Sequence, residues 1–146
     1  MTGWKPVVYR GDGAWIGMMP DGLIGVGPES EGRASLGGSG FVPMWPYLEG
    51  DLSNALAELA DHWPDLDGGG IPTPERLLEL TVASAWRSGR SYWMQLAAPW
   101  AMEMFDREGF ERETVLEILR EMASSEALPP AVRAGVEGLL AEEGSE

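Results

Sequence analysis

Cysteine is absent from the 146-residue sequence, and histidine occurs once. The missing thiols exclude a disulfide framework, a thiolate zinc site, an iron–sulfur cluster and a cysteine nucleophile. A single imidazole excludes a metal site built from several histidines of one chain. Lysine also occurs once, at Lys5, so the Gly-Lys pair of a phosphate-binding Walker loop is missing. We therefore predict that the protein uses no cofactor and no metal ion.

Long hydrophobic runs are missing as well. No segment approaches the roughly 18 consecutive apolar residues that a membrane-spanning helix needs. The first residues do not combine a basic start with the apolar run of a secretory signal. We therefore expect no contact with the membrane and a cytoplasmic location. The excess of arginine over lysine, together with abundant glycine, alanine and proline, is typical of a GC-rich bacterial genome.

Positive charge is scarce, since the sequence contains 24 acidic residues and only 10 basic ones, and the formal net charge is −14. The acidity is concentrated in the second part of the chain: residues 1–50 hold five of the acids, and residues 51–146 hold 19. A surface of this sign repels nucleic acids and anionic membranes, and it accelerates association with a cationic protein. We expect no nucleic-acid binding and a basic protein partner.

Short apolar runs separated by turn residues characterise residues 1–50. Val7–Tyr9, Ala14–Met19 and Leu23–Val26 are strand-like, and the turn sequences Gly-Asp-Gly and Pro-Asp-Gly separate them. They predict a small antiparallel meander. Residues 27–40 carry five glycines and are expected to form a surface loop, while two prolines exclude residues 41–48 from a central strand.

Helical periodicity dominates after residue 50. Asp51 and Thr73 are placed to cap helices, and Pro74 suits a first helical position. Pro99 is expected to kink or break the third of five apolar-periodic segments. The sequence therefore predicts an α+β fold, with a small N-terminal antiparallel β meander packed on a C-terminal group of four to five α-helices. We predict a single domain over 1–146, with a Gly-rich β part at 1–50, an acidic helical part at 51–142 and a frayed tail at 143–146.

A carboxylate–histidine arrangement is the first candidate for chemistry. His62 follows Asp61 and precedes Asp65, and such a pairing begins a general-base site. It equally describes a histidine that the end of a helix and neighbouring acids stabilise. A second acidic cluster comprises Glu103, Asp106 and Glu108. An enzyme of unrecognised family would use one of these two groups, but no nucleophile accompanies either, and the balance leans against catalysis.

Regularly spaced glutamates form the first candidate for binding. Glu113, Glu117 and Glu121 recur every four residues and are expected to share one helix face, where like charges cost a few tenths of a kcal/mol. The stripe is either a solvated face or a surface that binds a basic partner.

Tryptophan supplies the second candidate, with seven residues in the chain. The four in the helical part are expected in the core. Trp15 and Trp45 lie in the Gly- and Pro-rich part, and we predict that they are exposed anchors of an interface, where tryptophan often contributes most of the binding energy.

These features together favour a small acidic protein-binding module. Its most concrete form is an immunity or inhibitor protein that neutralises a basic toxin or enzyme acting on nucleic acid. The alternatives are the small enzyme described above, a chaperone for a secreted effector, and a protein that mimics DNA towards a DNA-binding partner.

Overall fold

The computed structural model describes residues 3–66 and 70–144. Four strands precede five α-helices: β1 Lys5–Gly11, β2 Ala14–Met18, β3 Ile24–Gly27, β4 Ala34–Ser35, α1 Leu52–His62, α2 Pro74–Arg87, α3 Ser91–Phe105, α4 Arg112–Ala123 and α5 Pro130–Gly144. Two 3₁₀ helices cover Val42–Glu49 and Trp63–Leu66. The predicted α+β class is confirmed. The chain divides into two compact units, Met1–Leu78 and Glu79–Glu146.

The strands form one antiparallel sheet in the order β1-β2-β3-β4. The predicted meander is confirmed. A fourth strand, β4, extends it and lies within the segment that was expected to be a loop. The Pro-Asp-Gly turn joins β2 to β3, where Asp21 accepts a hydrogen bond from the Leu23 amide at 3.0 Å. Gly22 has φ 87°, a conformation that glycine adopts without a steric penalty.

The two faces of the sheet differ in the size of their side chains. Val8, Ile16 and Val26 lie opposite one another across β1, β2 and β3, and all three are buried. On the other face, Gly17 lies opposite both Pro6 and Gly25. A Cβ added to Gly17 would stand 2.1 Å from the Lys5 carbonyl oxygen, so β1 and β2 approach each other as closely as only glycine permits.

Strand β1 lies at the edge of the described sheet and is irregular. Its pairing with β2 is interrupted between Pro6 and Val8 and again between Tyr9 and Gly11. Pro6 has no N–H to donate, which is tolerated at an edge strand.

The helical elements of the first unit each bury one side of apolar residues. The Asp51 side chain caps α1 by accepting a hydrogen bond from the Ser53 amide at 3.2 Å. Before α1, Arg10 of β1 donates from Nη1 to the Pro43 carbonyl at 2.6 Å and joins the sheet to the 3₁₀ helix. The buried residues of these segments are Met44, Trp45, Leu48, Leu52, Ala55 and Leu59.

Helix α2 begins as the sequence predicts. Pro74 is its first residue, and the Thr73 hydroxyl accepts a hydrogen bond from the Arg76 amide at 3.1 Å. In the second unit, α3 runs continuously from Ser91 to Phe105 through Pro99, so the expected break does not occur. Pro99 is exposed, which places its ring away from the packed side of the helix.

The end of the chain is helical further than predicted. Helix α5 continues to Gly144, so residues 143 and 144 are not frayed. Ser145 and Glu146, the rest of the predicted tail, lie outside the described residues. The same holds for residues 67–69 of the glycine-rich linker between α1 and α2.

A buried carboxylate fixes the start of α4. Glu79 of α2 is 2% exposed, and its Oε2 accepts a hydrogen bond from the amide of Glu111, the residue that precedes α4, at 2.6 Å. No capping hydrogen bond comes from the Glu111 side chain itself. Glu79 therefore supplies an acceptor at a helix end, where a negative charge is favourable.

Replacing this carboxylate is expected to destabilise the protein. Glu79→Ala removes a charge-assisted hydrogen bond and leaves the Glu111 N–H without this acceptor, at a cost of about 2 kcal/mol in the free energy of unfolding. Urea denaturation measures the loss, and Glu137→Ala on the exposed face of α5 is the control, expected to change stability by less than about 0.5 kcal/mol. Equal losses in the two variants would contradict the capping role.

Candidate protein-interaction surface

The three glutamates of α4 do share one side of the helix, but they differ in their surroundings. Glu113 and Glu117 are exposed, and Glu121 is partly buried. Arg87, at the end of α2, donates from Nη2 to Glu121 Oε2 at 2.6 Å and lies 3.7 Å from Glu117 Oε1. The indole of Trp86 also donates to Glu121 at 3.3 Å.

Arg87 partly neutralises the predicted stripe of glutamates on α4. The hydrogen bond from Arg87 holds the pKa of Glu121 below its ordinary value, and the bond to Glu121 raises the pKa of Arg87. Two of the three glutamates thus already face a cation, and only Glu113 has no ion pair within the described chain. The local spacing could not reveal this arrangement, because Arg87 and Glu121 are 34 residues apart.

The Arg87–Glu121 pair is expected to make stability depend on pH. The pKa of Glu121 is lower in the folded state than in the unfolded chain. The stabilisation that the pair provides is therefore fully present above the unfolded-state pKa of about 4.3, and it is lost as the pH falls through the folded-state pKa. Arg87→Gln should therefore cost less than about 1 kcal/mol at neutral pH, since both side chains are well exposed to solvent. Urea unfolding curves should show the difference from wild type shrinking below about pH 4. A difference that is constant with pH would contradict the assignment.

The prediction that Trp45 is an exposed anchor is wrong. Trp45 is 6% exposed, because the 3₁₀ helix Val42–Glu49 turns this side chain, with Met44 and Leu48, into the core of the first unit. Two prolines exclude this segment from the sheet but do not prevent its burial. The sequence pattern for a 3₁₀ helix is short and weak, which is why its buried side was missed.

Trp15 lies on β2 and is partly exposed. Its ring is 5.2 Å from that of Tyr9 on β1, which is 48% exposed. Sequence reasoning missed Tyr9, although its position in the strand, one residue after buried Val8, is the signal for an outward-facing side chain. In the second unit, exposed Tyr92 contacts Trp93 edge to face, with the ring centroids 4.9 Å apart.

The candidate catalytic residues lie near the surface and do not contact one another through hydrogen bonds. His62, the last residue of α1, is partly buried, while Asp61 and Asp65 are exposed. Asp65 lies 3.8 Å from the Lys5 ammonium. No hydrogen bond joins His62 to Asp61 or Asp65 among the described residues. The arrangement of a general base held by a carboxylate is therefore not formed, although the three residues are neighbours in sequence.

The second acidic cluster also lies at the surface. Glu103, Asp106 and Glu108 are exposed, and Glu103 pairs with Arg107 one turn later, at 3.7 Å. In residues 3–66 and 70–144, no three histidine, aspartate or glutamate side chains form a group that could hold a metal ion.

Helix α1 presents two carboxylates that the sequence analysis did not assign to binding. Glu58 and Asp61, here called the α1 acidic pair, are exposed and lie three residues apart on one side of the helix. Neither forms a hydrogen bond or ion pair with another residue in the described part of the chain. Their position opposite buried Leu52 and Leu59 is the pattern from which this face could have been predicted.

A recess of about 260 Å³ adjoins the α1 acidic pair. Glu58 and Asp51 line it together with Arg10, Pro46 and Tyr47. The Tyr47 hydroxyl is buried with no hydrogen-bond partner among the described residues, and burial, followed by the negative charge of Glu58, raises the pKa of this phenol. The recess therefore combines two carboxylates and one arginine with apolar and aromatic walls.

A larger open groove of about 500 Å³ lies elsewhere in the first unit. Arg10 and Arg33 line it with Asp12, and its apolar lining includes Val26, Val42 and Pro43.

Comparison with protein-family models, with curated proteins and with solved structures gives no match. Among the helices described by the structure, none is long and apolar enough to cross a membrane.

Proposed function

We propose that the protein is an acidic binding module for a basic protein, and that it acts as an immunity or inhibitor protein towards a toxin or enzyme whose substrate is nucleic acid. The observation that carries this proposal is the α1 acidic pair, two exposed carboxylates without an internal cation. An enzyme that binds nucleic acid exposes a cationic cleft. An acidic helix that occupies such a cleft blocks the substrate and gains a fast, salt-sensitive association.

The neighbouring recess supports the same reading. Its volume of about 260 Å³ accommodates one long basic side chain, and Pro46 and Tyr47 offer contacts for the methylene groups of that side chain. Asp51 and Glu58 line the recess with Arg10, whose guanidinium is already paired with Asp12, and the two carboxylates are the proposed acceptors of the charged end. The Tyr9–Trp15 pair is the proposed aromatic contact, and the glutamates of α4 are a second, partly neutralised acidic face.

A cytoplasmic location is part of this proposal. An inhibitor that protects a cell from its own nucleic-acid-acting toxin must meet that toxin where the cell's nucleic acids are. The residue usage typical of GC-rich bacteria agrees with such a setting.

Affinity capture with a salt gradient tests the proposed function. The full chain is immobilised, exposed to a lysate of the native host at low salt, and eluted with rising salt. We expect one stoichiometric basic protein that leaves as the salt rises and whose activity on nucleic acid the purified chain inhibits. A column carrying Glu58→Lys/Asp61→Lys is the control and should retain less of it. Absence of a partner at every salt concentration, or retention without inhibition, would refute the proposal.

A further inference from the structure

We propose that the 500 Å³ groove in the first unit, here called the arginine groove, binds a small organic anion with an apolar body, such as an aryl-alkyl carboxylate. The groove shares Arg10 with the recess beside α1, but its proposed ligand does not rest on the proposed function. Its volume falls within the range of about 300–1,000 Å³ that is usual for small-molecule sites.

Charge distinguishes the groove from its surroundings. Residues 1–78 contain four basic and eleven acidic residues, yet two of these four cations, Arg10 and Arg33, line the groove beside one carboxylate, Asp12. The lining residues thus carry two positive charges and one negative charge, although Asp12 pairs with Arg10 and Glu31, outside the lining, pairs with Arg33. An anion that displaces Glu31 from Arg33 gains a cation here, whereas the α1 acidic pair repels it.

Arg10 gives the groove a fixed wall. Its guanidinium donates to both oxygens of Asp12, with distances between 2.9 and 3.2 Å, and to the Pro43 carbonyl at 2.6 Å. These bonds hold the side chain, which is only 14% exposed. One of the two Nη1 hydrogens has no acceptor in these contacts, so it remains for a ligand oxygen.

Arg33 supplies a positive charge that can exchange its present partner, the Glu31 carboxylate, for the carboxylate of a ligand. Its side chain is 70% exposed and lies 3.9 Å from the similarly exposed carboxylate of Glu31. Such an exposed pair contributes less than about 1 kcal/mol, so a ligand carboxylate can replace Glu31 at little cost. The backbone of Arg33 is anchored, because its amide donates to the Val26 carbonyl at 2.9 Å. The Arg33 side chain therefore extends from an anchored backbone position at the groove.

The remaining lining requires that the anion carry an apolar body. Val26, Pro43 and Val42 contribute hydrocarbon surface, and Val42 is 47% exposed. An inorganic anion such as phosphate would leave Val42 uncovered, whereas an aryl-alkyl chain would remove it from water. The combination of fixed donors, one exchangeable arginine and an apolar lining defines the class of ligand.

Titration of the full chain with 4-phenylbutyrate and with its neutral amide, 4-phenylbutyramide, tests the site. Two-dimensional amide NMR follows both titrations. We expect saturable shifts at the groove residues Gly13, Ala14 and Gly27, with the carboxylate binding about fivefold more tightly than the amide. Shifts that do not cluster at these residues, or equal affinity for the two probes, would overturn the proposal.

Variants separate the roles of charge and apolar contact. Arg33→Gln should weaken the carboxylate about fivefold and leave the amide unchanged, while Val42→Ser should weaken both. Arg90→Gln, which removes an equally exposed cation from the second unit, is the matched control and should change neither. Glu31→Gln should tighten the carboxylate. If Arg90→Gln acts like Arg33→Gln, the binding reflects net charge alone and the site is refuted.

Discussion

Reversing the α1 acidic pair, in the double variant Glu58→Lys/Asp61→Lys, is expected to slow association with the basic partner by about ten- to a hundredfold at low salt. The variant changes four units of charge on one side of a single helix. Neither carboxylate takes part in an internal ion pair or hydrogen bond among the described residues, so their replacement removes no such contact from the fold. The effect should appear mainly in the association rate and should diminish as salt screens the charges.

Stopped-flow or surface-based kinetics at several salt concentrations measure this effect. The matched control is Glu126→Lys/Glu137→Lys, which makes the same change in net charge at exposed positions of the second unit. The α4 variant Glu113→Lys/Glu117→Lys should have a smaller effect, because Arg87 already faces Glu117 at 3.7 Å. If the α1 variant and the control slow association equally, the partner responds to total charge and not to this surface.

The largest effect on stability is expected from a single methyl group at Gly17. In Gly17→Ala, the new Cβ would meet the Lys5 carbonyl oxygen at 2.1 Å and the Pro6 Cα at 2.9 Å. Both are backbone atoms, so no side-chain rotation relieves the clash, and β1 must move away from β2. We expect a loss of about 3 kcal/mol or more in the free energy of unfolding.

Gly37 provides the comparison for this variant. It lies in the same unit, has an ordinary φ, and a Cβ there would meet nothing within 4 Å. Gly37→Ala should therefore be neutral or slightly stabilising, since it only restricts the unfolded chain. Urea denaturation followed by circular dichroism measures both variants. A Gly17→Ala protein as stable as Gly37→Ala would show that β1 and β2 are not in close contact.

Local rules were sufficient for the elements whose signals lie within a few residues. Asp51, Thr73 and Pro74 mark helix starts because capping depends on neighbours in sequence. The Pro-Asp-Gly turn likewise depends on the φ values of its own residues. The break expected at Pro99 does not occur, because the effect of a proline depends on how the whole helix packs, which tertiary contacts decide.

The candidate surface was less accessible to such rules. The spacing of Glu113, Glu117 and Glu121 correctly placed them on one side of α4, but the cation that faces two of them comes from another helix. Trp45 is buried through a 3₁₀ segment that has little periodicity of its own. Glu58 and Asp61 could have been selected from the pattern of α1. That pattern does not show that the two carboxylates lack ion pairs, because this depends on where the arginines lie after folding.

The irregular edge of the sheet bears on how the protein behaves at high concentration. A regular, unpaired edge strand invites strands of other copies and leads to aggregation. In β1, Pro6 lacks a donor and the two interruptions of register distort the remaining pairing groups. The net charge of −14 adds repulsion between copies. These features disfavour strand pairing between the sheets of two copies. We therefore expect the protein not to aggregate through its sheet when it is highly expressed.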